Sequence, residues 1–246
     1  MAQAARRQDA WALALETSDR RSGVALARGD RVLKAVTLDA DRRHAANLVP
    51  AARELCVSAG ATPDEIGLVS LSIGPGSFTG LRIGVTVARM LAMATGARLV
   101  AVPTLEVIAQ NALDAPDPPR RVAVLLDAGR GDAYAATFQR TDEAYQPDAE
   151  PILVDPATFL SKCDAECVAM GEGATRFAEI VCVAGLPRLP REWDAPRVEV
   201  VHRLGYRLAL AGTFTDRYRL VPTYIRKPAA EEVWEKKQAD RADAAR

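Results

Sequence analysis

Residues 73–84 of the chain are Ile73-Gly74-Pro75-Gly76-Ser77-Phe78-Thr79-Gly80-Leu81-Arg82-Ile83-Gly84, a glycine-rich loop. The apolar residues 68–73 predict a strand before it, and residues 81–95 predict a helix that ends at Gly96. Glycines between a strand and a helix can bring backbone N–H groups together around an anion. This interpretation gives the candidate anion or nucleotide loop, whose residues are Gly74, Gly76, Ser77, Thr79 and Gly80.

The same loop also fits a second interpretation, a tight strand-to-helix turn that binds nothing. It is not a Walker A motif, because no Gly-Lys-Ser/Thr follows. It is not a dinucleotide fingerprint either, since Thr79 stands where the third glycine would be. The residues alone leave both interpretations open.

The two halves of the chain have the same predicted order of strands, loops and helices. Each half opens with a strand that ends in an acidic residue, Glu16 or Asp127, and then turns back into a second strand. Each half later has a strand, a glycine-containing loop and a helix. We therefore predict an α/β protein with a duplicated mixed-sheet unit and packing helices, arranged as two lobes.

The expected organisation follows from composition along the chain. Three prolines among residues 116–119 cannot continue a helix and mark a linker. We expect a disordered extension over 1–10, an N-terminal lobe over 11–112, a Pro-rich linker over 113–121, a C-terminal lobe over 122–228 and a charged helix or tail over 229–246. No run approaches the ~18 apolar residues of a membrane span, so no membrane segment is expected.

Net charge and the few histidines and cysteines argue against several classes of function. Lys plus Arg equals Asp plus Glu at 32 each, which does not favour a dedicated nucleic-acid binder. The two histidines, His44 and His202, are far apart in sequence and form no His-x-x-x-His, so a zinc or iron site and a Ser/His/Asp triad are not expected. The four cysteines form no Cys-x-x-Cys pair and fit small core residues in a reducing cytosol.

The acidic strand ends carry two interpretations. Carboxylates such as Glu16 and Asp127 can hold Mg²⁺ near phosphates in a two-lobed α/β protein. They can equally be polar residues at the point where a strand leaves the sheet. The residues favour the second interpretation without excluding the first.

Taken in order, these pieces resemble the TsaB family over about residues 11–237. The glycine-rich run is the most specific part of the resemblance. The other matching segments are Glu16-Thr17-Ser18, Arg43-His44-Ala45-Ala46-Asn47-Leu48-Val49-Pro50, Val102-Pro103-Thr104-Leu105, Asp127 to Tyr134 and Pro222-Thr223-Tyr224-Ile225-Arg226. The resemblance implies a two-lobed actin-like (ASKHA) fold.

The resemblance also implies a function. Members act as non-catalytic scaffold or activator subunits of the TsaD-type catalytic subunit, in threonylcarbamoylation of the tRNA adenosine next to the anticodon. It implies a TsaE-like ATPase as a second partner, tRNA contact only through the complex, a homodimer when the chain is alone, and a cytoplasmic location. No cofactor is expected on this chain alone, because ATP, Mg²⁺ and metal belong to the partner subunits.

By the same resemblance, the helices after His44 and after the glycine-rich loop form the partner-binding bundle. The implied contacts are Leu81, Arg82, Val85, Ala88, Arg89, Ala92, His44 and Leu48. Two departures stand out: Glu16 replaces the usual Asp, and Gly129 occupies a commonly basic position.

Two rival functions remain to be tested. A small-molecule kinase or ATPase of the same fold would bind ATP in isolation and lose it on Glu16→Ala or Asp127→Ala. A metallopeptidase would carry stoichiometric metal, which two isolated histidines do not supply.

Overall fold

The computed structural model describes residues 10–38, 44–142 and 144–226, and it leaves the side chains of residues 44–46 undescribed. Two mixed β-sheets form the centres of two lobes. The strands are β1 Trp11–Glu16, β2 Ser22–Arg28, β3 Arg31–Leu38, β4 Ile66–Ser72, β5 Arg98–Val102, β6 Arg121–Gly129, β7 Asp132–Arg140, β8 Tyr145–Pro147, β9 Ile152–Val154 and β10 Cys167–Met170. The helices are α1 His44–Ala59, α2 Phe78–Thr95, α3 Thr104–Asn111, α4 Pro156–Leu160, α5 Glu172–Arg176, α6 Ala178–Val183 and α7 Val198–Leu210.

The first sheet has the order β3-β2-β1-β4-β5. β1 pairs antiparallel with β2 and parallel with β4, so Leu15 lies between Val24 and Leu71. β5 extends the parallel half beside β4. The carboxyl ends of β1 and β4 therefore meet at one edge, where Glu16 and the glycine-rich loop leave the sheet.

The second sheet repeats this arrangement. β6 pairs antiparallel with β7 and parallel with β10, as β1 does with β2 and β4. β8 and β9 both pair with β7. The predicted duplication of a mixed-sheet unit is confirmed by these equivalent positions of β1 and β6.

Helix ends follow local capping chemistry. Ser77 caps α2, its Oγ accepting from Gly80 N, and Gly96 ends the helix with φ +74°. The end at Gly96 was predicted, whereas the start lies three residues before the predicted Leu81. Residues 62–65 form a capping box at the start of a short 3₁₀ turn, Pro63–Glu65, in which the Glu65 carboxylate accepts from Thr62 N at 2.8 Å.

Apolar side chains join the helices to both sheets. One face of the first sheet packs against α1 and α2 in a core that includes Leu15, Leu48 and Ala88. Its other face packs against α7 and part of α3. α4, α5 and α6 cover one face of the second sheet, while Leu105 and Ile108 of α3 pack on the other. α3 thus contributes apolar side chains to both lobes.

The chain returns to the first lobe after residue 197, and this corrects the expected C-terminal lobe over 122–228. α7 packs on β1, β4 and β5, Thr215 bridges to Leu99, and Leu220 is buried in the core of the first lobe. The physical reason is that the face of the first sheet opposite α1 and α2 needs an apolar cover, which Val198, Val201 and Leu204 supply.

Two expectations fall on residues outside the description. They are most of the extension over 1–10 and the charged segment over 229–246. In the ranges that the structure describes, no helix is both long enough and apolar enough to cross a bilayer.

Candidate functional site

The glycine-rich loop packs directly on the turn that joins β1 to β2. A Cβ at Gly76 would overlap the carbonyl oxygen of Ser18, and one at Gly80 would overlap that of Thr17. Gly84, one turn further along α2, lies against the Thr17 side chain. These glycines allow close approach of two backbone segments, a role that does not require a ligand.

Several N–H groups of this loop already have partners within the chain. Ser77 N donates to Ser18 O at 2.7 Å, and Gly74 N donates to Thr104 Oγ1 at 3.1 Å. Gly80 N donates to Ser77 Oγ at 3.2 Å. An anion would compete with these bonds, so the geometry favours the turn interpretation of the loop.

A shallow cavity of about 380 Å³ lies beside the loop. Ser77 and Thr79 of the predicted anion loop line it together with Asp19 and Arg20. Of the five predicted anion-loop residues, Gly74 and Gly76 pack against the chain itself, whereas Ser77, Thr79 and Gly80 border this cavity. Binding of an anion there stays a prediction.

The acidic strand ends differ in environment. Glu16 is 1% exposed, and its Oε1 accepts from Ser18 N at 2.6 Å and Ser18 Oγ at 2.5 Å. Its Oε2 has no hydrogen-bond partner among the described atoms, and burial raises the pKa of this carboxyl. Asp127 is more open and accepts from Gly129 N at 2.8 Å. Within the described ranges, no group of three or more His, Cys, Asp or Glu is placed to hold a metal ion.

The predicted partner contacts on α2 need a correction. Leu81, Val85, Ala88 and Ala92 are 1%, 6%, 0% and 0% exposed, because this stripe of α2 faces the chain's own interior. Leu48 of α1 is likewise fully buried in the same core as Val85 and Ala88. These five residues cannot touch a partner in this conformation. His44 begins α1, and its side chain is outside the description.

The solvent-facing side of α2 carries the other two predicted contacts, Arg82 and Arg89. Met90 and Met93 follow Arg89 along the helix, and they are 48% and 64% exposed. We call Arg82, Thr86, Arg89, Met90 and Met93 the outer face of α2. Exposed methionines adapt to irregular partner surfaces. The residues of the outer face recur every three or four positions, which places them on one side of a helix. The predicted contacts did not include Met90 or Met93, although this spacing was visible in the sequence.

An aromatic cluster adjoins the first turn of α2. Tyr224 accepts a hydrogen bond from Arg82 Nε at 3.1 Å, and its ring centroid lies 5.1 Å from that of Phe78. The Arg82 guanidinium lies 3.9 Å from the Phe78 ring centroid. The C-terminal segment thereby contacts the helix that the resemblance assigns to partner binding.

The chain resembles known proteins in sequence and in fold. The family model of TsaD, described as tRNA N6-adenosine threonylcarbamoyltransferase, matches residues 36–184. The tRNA threonylcarbamoyladenosine biosynthesis protein TsaB of Bacillus subtilis is 28% identical over 229 residues, covering 90% of this chain and 96% of that protein. TsaB of Escherichia coli is 26% identical over 228 residues, covering 91% and 96%. The chain belongs to the TsaB family, within the wider family that the TsaD model describes.

A solved structure supports the same assignment. YeaZ from Pseudomonas aeruginosa superposes with a TM-score of 0.77 at 26% identity, covering 87% of this chain and 99% of that one. The predicted two-lobed, actin-like α/β fold is confirmed for this TsaB-family chain.

Proposed function

We propose that this chain is a non-catalytic subunit in the biosynthesis of threonylcarbamoyladenosine in tRNA, and that it binds and activates a TsaD-type catalytic subunit. The names of its TsaB relatives support the pathway. The observation that carries the binding role is the outer face of α2, which presents two methionines and two arginines to solvent beside α1.

The docking geometry follows from the packing of α2. Its buried stripe fixes the helix on the first sheet, so the outer face is a rigid surface rather than a mobile segment. The exposed methionines supply apolar area and the arginines supply charge, and an interface usually combines an apolar centre with a charged rim. A stable complex would bury about 1,600 Å² in total, which requires neighbouring residues of α1 as well.

The side-chain chemistry supports a role without catalysis. His202 is fully buried, and its Nε2 bonds to the Gly29 carbonyl at 3.0 Å, so it is not available as a general base. Glu16 is buried and already bonded to Ser18. On this proposal ATP, Mg²⁺ and metal are held by the partner subunits and none by this chain alone.

The remaining partners follow the same proposal. A TsaE-like ATPase joins the complex, tRNA is contacted only through the complex, and the chain works in the cytoplasm. Without its partner, the exposed apolar side chains of α2 would be covered by a second copy, which gives a homodimer. The rival kinase function is less favoured, because the loop that would hold phosphates donates the N–H groups of Gly74, Ser77 and Gly80 to the chain itself.

The test is light scattering on a sizing column together with reconstituted threonylcarbamoyl transfer. The chain is run alone and then mixed with the TsaD-type protein of the same genome. A homodimer that converts to a heteromeric complex, with transfer activity only in the mixture, supports the proposal. Failure to associate, or transfer by the TsaD-type protein alone at the same rate, contradicts it.

A further inference from the structure

The segment that follows α7 is anchored to the glycine-rich loop. Leu220 is 2% exposed in the core of the first lobe. Three residues later, Thr223 N donates to Ile73 O at 2.7 Å, and the Thr223 carbonyl lies where a side chain at Gly74 would stand. The segment is therefore fixed at the entrance to α2.

Tyr224 carries this anchoring onto α2 itself. Its hydroxyl accepts from Arg82 Nε, and its ring packs on Phe78, which also receives the Arg82 guanidinium on its ring. Phe78 and Tyr224 remain 38% and 37% exposed, so the cluster lies at the surface. The direction of the Arg82 side chain on the outer face depends on where Tyr224 is held.

Two residues further on, the chain bonds to the other lobe. The Arg226 guanidinium forms an ion pair with the Asp132 carboxylate and donates to Gly129 O at 3.2 Å. Gly129 and Asp132 flank the β6–β7 turn of the second lobe. The Arg226 side chain is only 14% exposed, so its charge-assisted bonds are less screened by water than those of a surface pair.

We infer that Arg226 is a positioning residue for the partner-binding face: by bonding to the β6–β7 turn it holds Tyr224 against Phe78 and Arg82 at the start of α2. The orientation of the second lobe and the geometry of the first turn of α2 are then coupled through the three residues 224–226. The purpose of this coupling rests on the proposed function, whereas the coupling itself does not.

The coupling is tested by hydrogen–deuterium exchange with mass spectrometry on the full chain. The variants are Arg226→Gln, Arg226→Lys, and Arg219→Gln as the matched control, because Arg219 lies on the same segment with a side chain that is 90% exposed. The reporters are peptides covering 73–82, 127–134 and 220–226. Asp132→Asn removes the same ion pair from the other lobe and replaces Arg226→Gln if that variant does not fold.

We expect Arg226→Gln to raise exchange about fivefold or more in 220–226 and 73–82, in line with the loss of a charge-assisted hydrogen bond. Arg226→Lys should restore part of the protection, and Arg219→Gln should leave all three peptides unchanged. Faster exchange confined to 127–134, with 73–82 unchanged, would overturn the inference.

A titration with the TsaD-type protein separates the inference from the proposed function. Weakening of binding by about tenfold in Arg226→Gln, with no change in Arg219→Gln, supports positioning for the partner. Unchanged binding despite altered exchange overturns that purpose. If the unmodified chain binds no TsaD-type protein while the exchange pattern appears as expected, the proposed function fails and the coupling stands.

Discussion

Gly80 on α2 lies against the carbonyl oxygen of Thr17, so that the β1–β2 turn occupies the space where a side chain would begin. This contact explains the glycine-rich run better than an anion does. A backbone carbonyl cannot move aside without displacing the end of β1, where Glu16 is bonded to Ser18. The loop, the turn and the start of α2 thus form one packed unit.

Gly80→Ala is expected to destabilise the chain by about 1–3 kcal/mol through overpacking. Alanine in an open helix position would instead stabilise by up to about 1 kcal/mol, so the sign of the change decides between the two effects. Urea unfolding measures it. Thr79→Ala, at the exposed neighbouring position, is the control and should change stability little. A Gly80→Ala variant that is as stable as the original chain would refute this packing role.

Glu16 should make stability depend on pH. Burial raises the pKa of Glu16 above its ordinary value of 4.5, so the folded chain loses this proton at a higher pH than the unfolded chain. Stability from this group is present below about pH 4.5 and is lost as the pH rises through the raised pKa. In Glu16→Gln this loss should disappear, leaving the variant at least as stable at pH 7. Unfolding curves at several pH values give the measurement.

The control for this prediction is Glu54→Gln on the exposed side of α1. It should keep the pH dependence of the original chain. If Glu16→Gln also keeps the pH dependence of stability, the buried Glu16 carboxyl is not the source of that dependence.

His202 should make the folded chain less stable as the pH falls, which is the opposite of the effect of Glu16. Burial lowers the pKa of His202 below its ordinary value of 6.5, while the bond to Gly29 O opposes this only in part. As the pH falls, His202 is therefore protonated in the unfolded chain before it is protonated in the folded chain. The stability of the fold decreases as the pH drops below about 6.5. His202→Gln should be less stable than the original chain at neutral pH, but it should not show this decrease in stability at lower pH. An unchanged slope between pH 6.5 and 5 in the variant would contradict the assignment.

Local patterns predicted a large part of the fold. The strand that ends at Glu16 and the end of α2 at Gly96 were both predicted from local sequence, and both are observed. These signals depend on neighbours in sequence. The return of α7 to the first lobe was not predicted, because it depends on which distant surface its apolar side covers.

The candidate contacts show the same limit. The apolar stripe of Leu81, Val85, Ala88 and Ala92 is visible in the sequence, but periodicity does not say whether the chain or a partner covers it. The structure shows that the core of the first lobe covers Val85, Ala88 and Ala92. The cluster of Phe78, Arg82 and Tyr224 joins residues 142 positions apart, which no local pattern indicates.

The most direct test of partner binding through the outer face of α2 is a calorimetric titration of the TsaD-type protein with a variant of this face. Met93→Asp places a charge on a side chain that is 64% exposed, so the fold should persist while binding suffers. Val183→Asp, at a residue of the second lobe that is 89% exposed, is the matched control. We expect Met93→Asp to raise Kd by about tenfold or more and Val183→Asp to leave it unchanged. Equal affinities for both variants and the unmodified chain would contradict partner binding through this face.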